Sequence, residues 1–255
     1  MVVESIDLLT LFLLVGAGVV AGFINTLAGG GSFLTLPALM LLGMPADVAN
    51  GTNRVGVLIQ SLAGVRGFDR HGALDRAAIV GVLVPTVVGA LVGALLASYL
   101  PVTILKPVLL ATMVTMALMM VLKPSAIAAK EGEPVRLLSK TPKGYLWLFA
   151  AGLYGGFIQA GVGFILLVAL SGVLRYDLVR SNALKMVCTA VLSVVALAVF
   201  VINDQVAWVP GLILAVAQVV GVQISVHFAV NVSQQVLRYF LLVIVILVCF
   251  AAWLA

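Results

Sequence analysis

Gly22-Phe23-Ile24-Asn25-Thr26-Leu27-Ala28-Gly29-Gly30-Gly31-Ser32-Phe33 is the stretch on which the reading of this chain turns. It lies inside an apolar run from near Leu8 to near Gly43, too long for one membrane crossing, which needs about 20 residues. Three consecutive glycines interrupt the helix within that run. A lipid-facing helix cannot be interrupted there, because no water takes up the freed backbone groups. The break must therefore face protein or a water-filled cavity. The pattern returns once, as Gly156-Phe157-Ile158-Gln159-Ala160-Gly161-Val162-Gly163-Phe164. Broken or re-entrant helices are expected at 28–32 and 160–164, with half-helices starting at Ser32 and Phe164.

Composition sets the solvent. Of 255 residues 64% are hydrophobic and 9% charged, against about 25% charged in a soluble domain; the mean hydropathy is +1.27. The fold class is an all-α polytopic membrane protein with roughly eight to ten membrane helices. The net charge of +5 would suggest nucleic acid in a soluble protein. Here most of the basic residues sit in short loops and set orientation, so no nucleic-acid partner is expected. Cys188 and Cys249 lie far apart in apolar segments and suggest neither a disulfide nor a metal site. No metal-ligand cluster, phosphate loop or nucleophile with a base appears, so no cofactor or catalysis is expected. The acidic start, Met1 to Asp7, does not read as a signal peptide.

In order, the spans read Leu8–Leu27, the half-helix Phe33–Leu42, Val48–Leu62, a basic loop Arg66 to Arg76, Ala77–Leu100 with a kink expected at Pro85, and Leu105–Leu122. A hydrophilic linker, 123–143, follows. The second part reads Tyr145–Ala160, Phe164–Leu174, Ser181–Ile202, Ala207–Phe228 and Leu237–Ala255. Sliding the chain by 132 residues lays Ala28-Gly29-Gly30-Gly31 on Ala160-Gly161-Val162-Gly163, Asn50 on Asn182 and Asn53 on Lys185. Five elements per half make the second half enter from the opposite side, an inverted repeat: residues 1–122 and 144–255 are its two units. With the N-terminus outside, the loops 66–76, 123–143, 174–180 and 229–238 hold eleven basic residues, and the outside loops hold only Lys106. Both termini are therefore expected outside.

Arg54 and Lys185 are the two basic residues left over, each in a predicted membrane helix. A charge there is costly unless it faces a cavity or a partner. Asn50, Asn53 and Arg54 share one helix face, and Asn182 and Lys185 share another. Each half-helix after a break presents unsatisfied N–H groups and a positive dipole end, and two such ends would meet near the midplane. A helix start beside a cation binds anions. The substrate site is accordingly read as Asn25, Gly29, Gly30, Gly31, Ser32, Asn50, Asn53, Arg54, Gln159, Gly161, Gly163, Asn182 and Lys185, holding a small anion. His227 and Cys188 are weaker candidates for proton or substrate relay. The Gly89/Gly93 face could serve a homodimer, and a monomer is equally open.

The break, the Pro37 that follows it and Ala49-Asn50-Gly51-Thr52-Asn53 resemble the sulfite exporter TauE/SafE family of bacterial permeases. Length, twofold repeat and the smaller second break fit over the whole chain. The resemblance implies transport of sulfur-containing anions such as sulfite, sulfoacetate or other organosulfonates, in the bacterial cytoplasmic (inner) membrane, without ATP, either proton-coupled or as a uniporter, with export as the expected direction. Gly-Val-Gly in place of three glycines, and Lys185 in place of Asn53, make the site asymmetric. A passive anion channel, a sulfur-relay protein using Cys188 and a purely structural subunit stay open beside it.

Overall fold

The chain leaves the helix where the glycines are. In the computed structural model, which describes residues 8–122 and 134–231, α1 (Leu8–Leu27) ends just before the glycine run and α2 (Ser32–Leu41) begins at its last edge. There follow α3 (Ala46–Arg70), α4 (Ile79–Tyr99), α5 (Val102–Leu122), a 3₁₀ turn Leu138–Lys140, α6 (Pro142–Phe157), α7 (Val162–Leu167), α8 (Leu178–Ile202) and α9 (Trp208–Asn231). α7 continues as a π-helical turn, Val168–Val173. The described residues contain no strand. α4, α8 and α9 are long and apolar enough to cross a membrane. The expected last span, Leu237–Ala255, with Arg238 and Cys249, and most of the linker with Lys123 and Lys130, lie outside the described residues.

Three boundaries differ from expectation for identifiable reasons. The second half-helix starts at Val162 rather than Phe164, because the break is made earlier, by Gln159 and Gly161 with φ of 73° and 80°. Gln159 is a non-glycine residue in the left-handed region, a strained state that persists only when its surroundings hold it; its side chain accepts from Arg54. Second, α3 runs on through Arg66 and Arg70 to Gly72, whose φ of 66° ends it. Basic side chains suit a helix C-terminus, so part of the expected basic loop is helix. Third, α6 starts at Pro142 rather than Tyr145, because proline suits the first turn of a helix; Pro85 lies inside α4.

Small residues set the packing. A Cβ on Gly22 of α1 would stand 2.2 Å from Gln218 O of α9, and one on Gly221 of α9 2.0 Å from Val19 O of α1. The α4–α6 pair repeats this: Gly152 meets Thr86 O at 2.1 Å and Gly89 meets Phe149 O at 2.3 Å. In these paired contacts the α9 positions lie 132 residues after their α4 counterparts, and the α6 positions 130 after those of α1. Association within a membrane rests on such close van der Waals packing, since lipid is as apolar as the helices. The Gly89/Gly93 face is thus used inside the chain, against α6, and is not left for a second copy.

α3 and α8 run antiparallel across the middle, with Gly51 against Phe200 and Gly64 against Met186. Burial is inverted relative to a soluble protein. Phe12, Val80, Val88, Leu96, Val209 and Val216 are exposed, whereas Asn50, Asn53, Arg54, Gln60, Asn182 and Lys185 are buried.

The two ends are tied separately. At one, Arg136 N–H donates to Leu174 O (2.8 Å) and Tyr176 Oη donates to Asp75 (3.1 Å), gathering the basic segments 66–78, 134–143 and 174–180. Arg76 pairs with Asp69 there at 2.8 Å; this hydrogen bond and charge hold the Asp69 carboxyl below its ordinary value. At the other end Gln205 accepts from Ser98 Oγ (2.8 Å) and donates to Asp47 (3.3 Å), and Ala207 N–H donates to Thr52 (2.9 Å).

Candidate functional site

The breaks touch. A Cβ built on Gly29 would lie 2.2 Å from Gly163 Cα, and one on Gly163 2.3 Å from Gly29 Cα. Only two residues lacking a side chain allow backbones this close. Gly29 also has φ +78° and Gly161 φ +80°, so equivalent positions of the two breaks turn the chain the same way. Ser32 is tied to α3: Asn53 Nδ2 donates to its Oγ (2.9 Å), and Thr35 Oγ1 donates to Asn53 Oδ1 (2.6 Å). Gly31 packs on Ala21 O.

The two cations lie on either side of this contact, in a crossed arrangement. Arg54, with 0% of its surface exposed, donates from α3 to the carbonyls of Gly155 and Gly156 and to the side chain of Gln159. Asn50 Nδ2 donates to Phe157 O (2.8 Å). Lys185, 1% exposed, donates from α8 to Asn25 O (3.0 Å), Thr26 O (2.6 Å) and Asn182 Oδ1 (2.7 Å). Each cation thus caps the broken helix of the opposite half at its C-terminal end. Unpaired carbonyls and the negative dipole end favour positive charge there, by about 0.3–2 kcal/mol.

The expectation put the cations beside the helix starts; the structure puts them on the helix ends before the breaks. Between them run the two left-handed turns. By the antiparallel pairing of α3 and α8, Arg54 stands level with the region of Ala196, about eleven residues or roughly 16 Å from Lys185 along the axis. The charges bracket the break contact rather than converge on one point.

Among the described residues, no carboxylate is a partner of either cation. Ion pairs among the described residues are at the surface, Arg76–Asp69 and Arg180–Asp177. Three buried N–H donors around the breaks also lack partners: Arg54 Nε, Gln159 Nε2 and Asn182 Nδ2. A region with two cations, spare donors and no neutralising anion of its own suits a negatively charged guest. Sequence reasoning missed the carbonyl acceptors at Thr26, Gly155 and Gly156, which leave no mark on residue type. It also missed Thr35, although a threonine in a short polar-flanked helix could have signalled it. Gln60, Ser61, Ser193 and Gln218 are buried with unpartnered atoms as well.

His227 is not brought to this region. It is exposed on α9, next to Asn231. Cys188 is buried on α8, three residues beyond Lys185. Among the described residues no cluster of His, Cys, Asp and Glu could hold a metal ion.

Residues 14–252 match the family described as sulfite exporter TauE/SafE. The chain belongs to that family. Among its relatives, a protein of Haemophilus influenzae named "Probable membrane transporter protein" is 28% identical over 236 residues, covering 92% of this chain and 90% of the relative. The Escherichia coli K12 protein named "Probable membrane transporter protein YfcA" is 25% identical over 224 residues, 88% and 82% of the two chains. The chain is a membrane transporter of the TauE/SafE type.

Proposed function

We propose that this TauE/SafE chain is a secondary transporter of small sulfur-containing anions, such as sulfite, sulfoacetate or other organosulfonates, across the bacterial cytoplasmic membrane. The observation that carries the reading is the pair of fully buried cations, Arg54 and Lys185, whose described partners are neutral oxygens and, for Arg54, the Phe200 ring. An anion beside either cation would offset charge that no described carboxylate compensates. Gln159 and Asn182 have donors to spare for its oxygens. The matched helix contacts of α1 with α9 and α4 with α6, at nearly constant offset, support two inverted repeats that rock against each other. The basic residues gathered at the Asp75–Tyr176 end support that end as cytoplasmic, with both termini outside.

Binding to the purified protein tests this, against a panel of sulfite, sulfate, thiosulfate, sulfoacetate and taurine. Saturable binding of at least one sulfur anion, weakened at least tenfold (about 1.4 kcal/mol) in Arg54→Gln and retained in Arg76→Gln, is the expected result. No binding by any member of the panel, or equal binding by Arg54→Gln, would overturn the proposal. In liposomes, slow saturable flux is expected rather than single-channel current.

A further inference from the structure

Moving an anion together with a proton requires a group inside the membrane that can gain and lose one. None of the nine acidic residues falls within an apolar segment; Asp47, in the first turn of α3, comes nearest. Among the described residues, the ionisable groups facing the interior from the elements around α8 are Arg54 on α3, Tyr154 on α6 and Cys188 on α8 itself; α1, α2, α4 and α7 bring none. A guanidinium does not give up its proton, and Tyr154 is engaged, donating to Ala160 O at 2.6 Å.

Lys185 differs from all of these. Its three ammonium hydrogens meet three acceptors, and two of these, Asn25 O and Thr26 O, belong to the opposite half of the chain. Its stem lies against the break contact: a Cβ on Gly163 would be 3.2 Å from Lys185 Cδ. Any movement that parts Gly29 from Gly163 draws α1 away and strips the ammonium of two acceptors. A buried ammonium so stripped must meet an anion or shed its proton, since an unpaired buried charge is costly by several kcal/mol. Gly64 of α3 packs on Met186, the neighbour of Lys185, and one turn before it stand Gln60 and Ser61, buried with no partner.

We propose that Lys185 is the proton-coupling residue of this transporter: its Nζ takes a proton from the side where the anion loads and gives it up on the side where the anion leaves. Arg54 supplies a permanent charge, and Lys185 a conditional one, where the first half has the neutral Asn53. Proton and anion move in the same direction. A monoanion then crosses with no net charge added by the pair, and a pH gradient drives net transport toward the more alkaline side. This rests on the anion site proposed above.

Sulfoacetate is the probe, because its charge is constant from neutral to mildly alkaline pH. Calorimetric titration of the full-length protein in buffers of different ionisation enthalpy, carried upward through the pH at which free Lys185 loses its proton, is expected to show proton uptake rising from none to about one per anion, with affinity falling about tenfold per pH unit beyond that point. Lys185→Arg, whose charge is fixed, is expected to bind with a flat pH profile and to lose accumulation driven by a pH gradient in liposomes. Cys188→Ala is expected to keep the proton uptake. Binding without proton uptake at every pH in the wild-type protein, or gradient-driven accumulation by Lys185→Arg, overturns the coupling role alone. Failure of every member of the panel of sulfite, sulfate, thiosulfate, sulfoacetate and taurine to bind overturns it together with the anion site.

Discussion

At the scale of single residues, Gly29 and Gly163 are the least replaceable positions. Alanine at either puts a methyl within 2.3 Å of the other's backbone, and at Gly29 also imposes φ +78° on a residue that avoids it. Overpacking of this kind costs about 1–3 kcal/mol, so Gly29→Ala and Gly163→Ala are expected to lower the melting temperature in detergent clearly. Gly30→Ala, with the Phe33 ring as nearest neighbour at 3.2 Å, should lower it much less. Equal effects at all three would show that the breaks do not meet. Arg54→Lys keeps a charge but cannot reach Gly155, Gly156 and Gln159 together as a planar fork does. It is expected to bind anion more weakly than wild type and more tightly than Arg54→Gln, by the same titration. Arg54 and Lys185 were legible as exceptions because a charge inside an apolar run needs no structure to be noticed. Their backbone acceptors were not, since these are carbonyls more than 100 residues away in the chain.

At the scale of helices, the glycines divide by what they touch. Gly16 of α1 has nothing within 4 Å of an added Cβ, whereas Gly22, less than two turns on, meets the backbone of Gln218 at 2.2 Å. Gly16→Ala is expected to be neutral or stabilising by up to about 1 kcal/mol, from helix propensity. Gly22→Ala is expected to destabilise by about 1–3 kcal/mol by prising α9 away. Thermal melts of the two variants side by side check this, and equal melting points would contradict the α1–α9 interface. Helix starts and stops were readable at the first glycine run, at Leu27 and Ser32. They were misread at Gln159, where a side-chain contact from another helix holds a strained residue, and at Arg70, where basic residues continue a helix.

At the scale of the whole molecule, the halves are tied at both ends, by Tyr176 with Asp75 and by Gln205 with Ser98 and Asp47. Burial first, and then the neighbouring Asp75 carboxylate, push the Tyr176 phenol up to about 12 from an ordinary 10.0. The folded state therefore holds this proton more tightly than the unfolded chain. The corresponding stability is fully present below pH 10 and is lost as pH rises toward about 12. Melting points across that window are expected to fall, and Tyr176→Phe is expected to flatten the decline; an unchanged slope in the variant would remove Tyr176 from the tie. Sequence by itself determined the solvent, the helical class, the break at Ala28–Gly31, the family and the two charges in need of company, because each is a local violation of what lipid tolerates. Tertiary structure alone decided that the breaks touch, that each cation caps the other half's broken helix, and that Gly89 and Gly93 face inward. These depend on which distant backbone atoms come within a few ångströms, and residue type carries no trace of that.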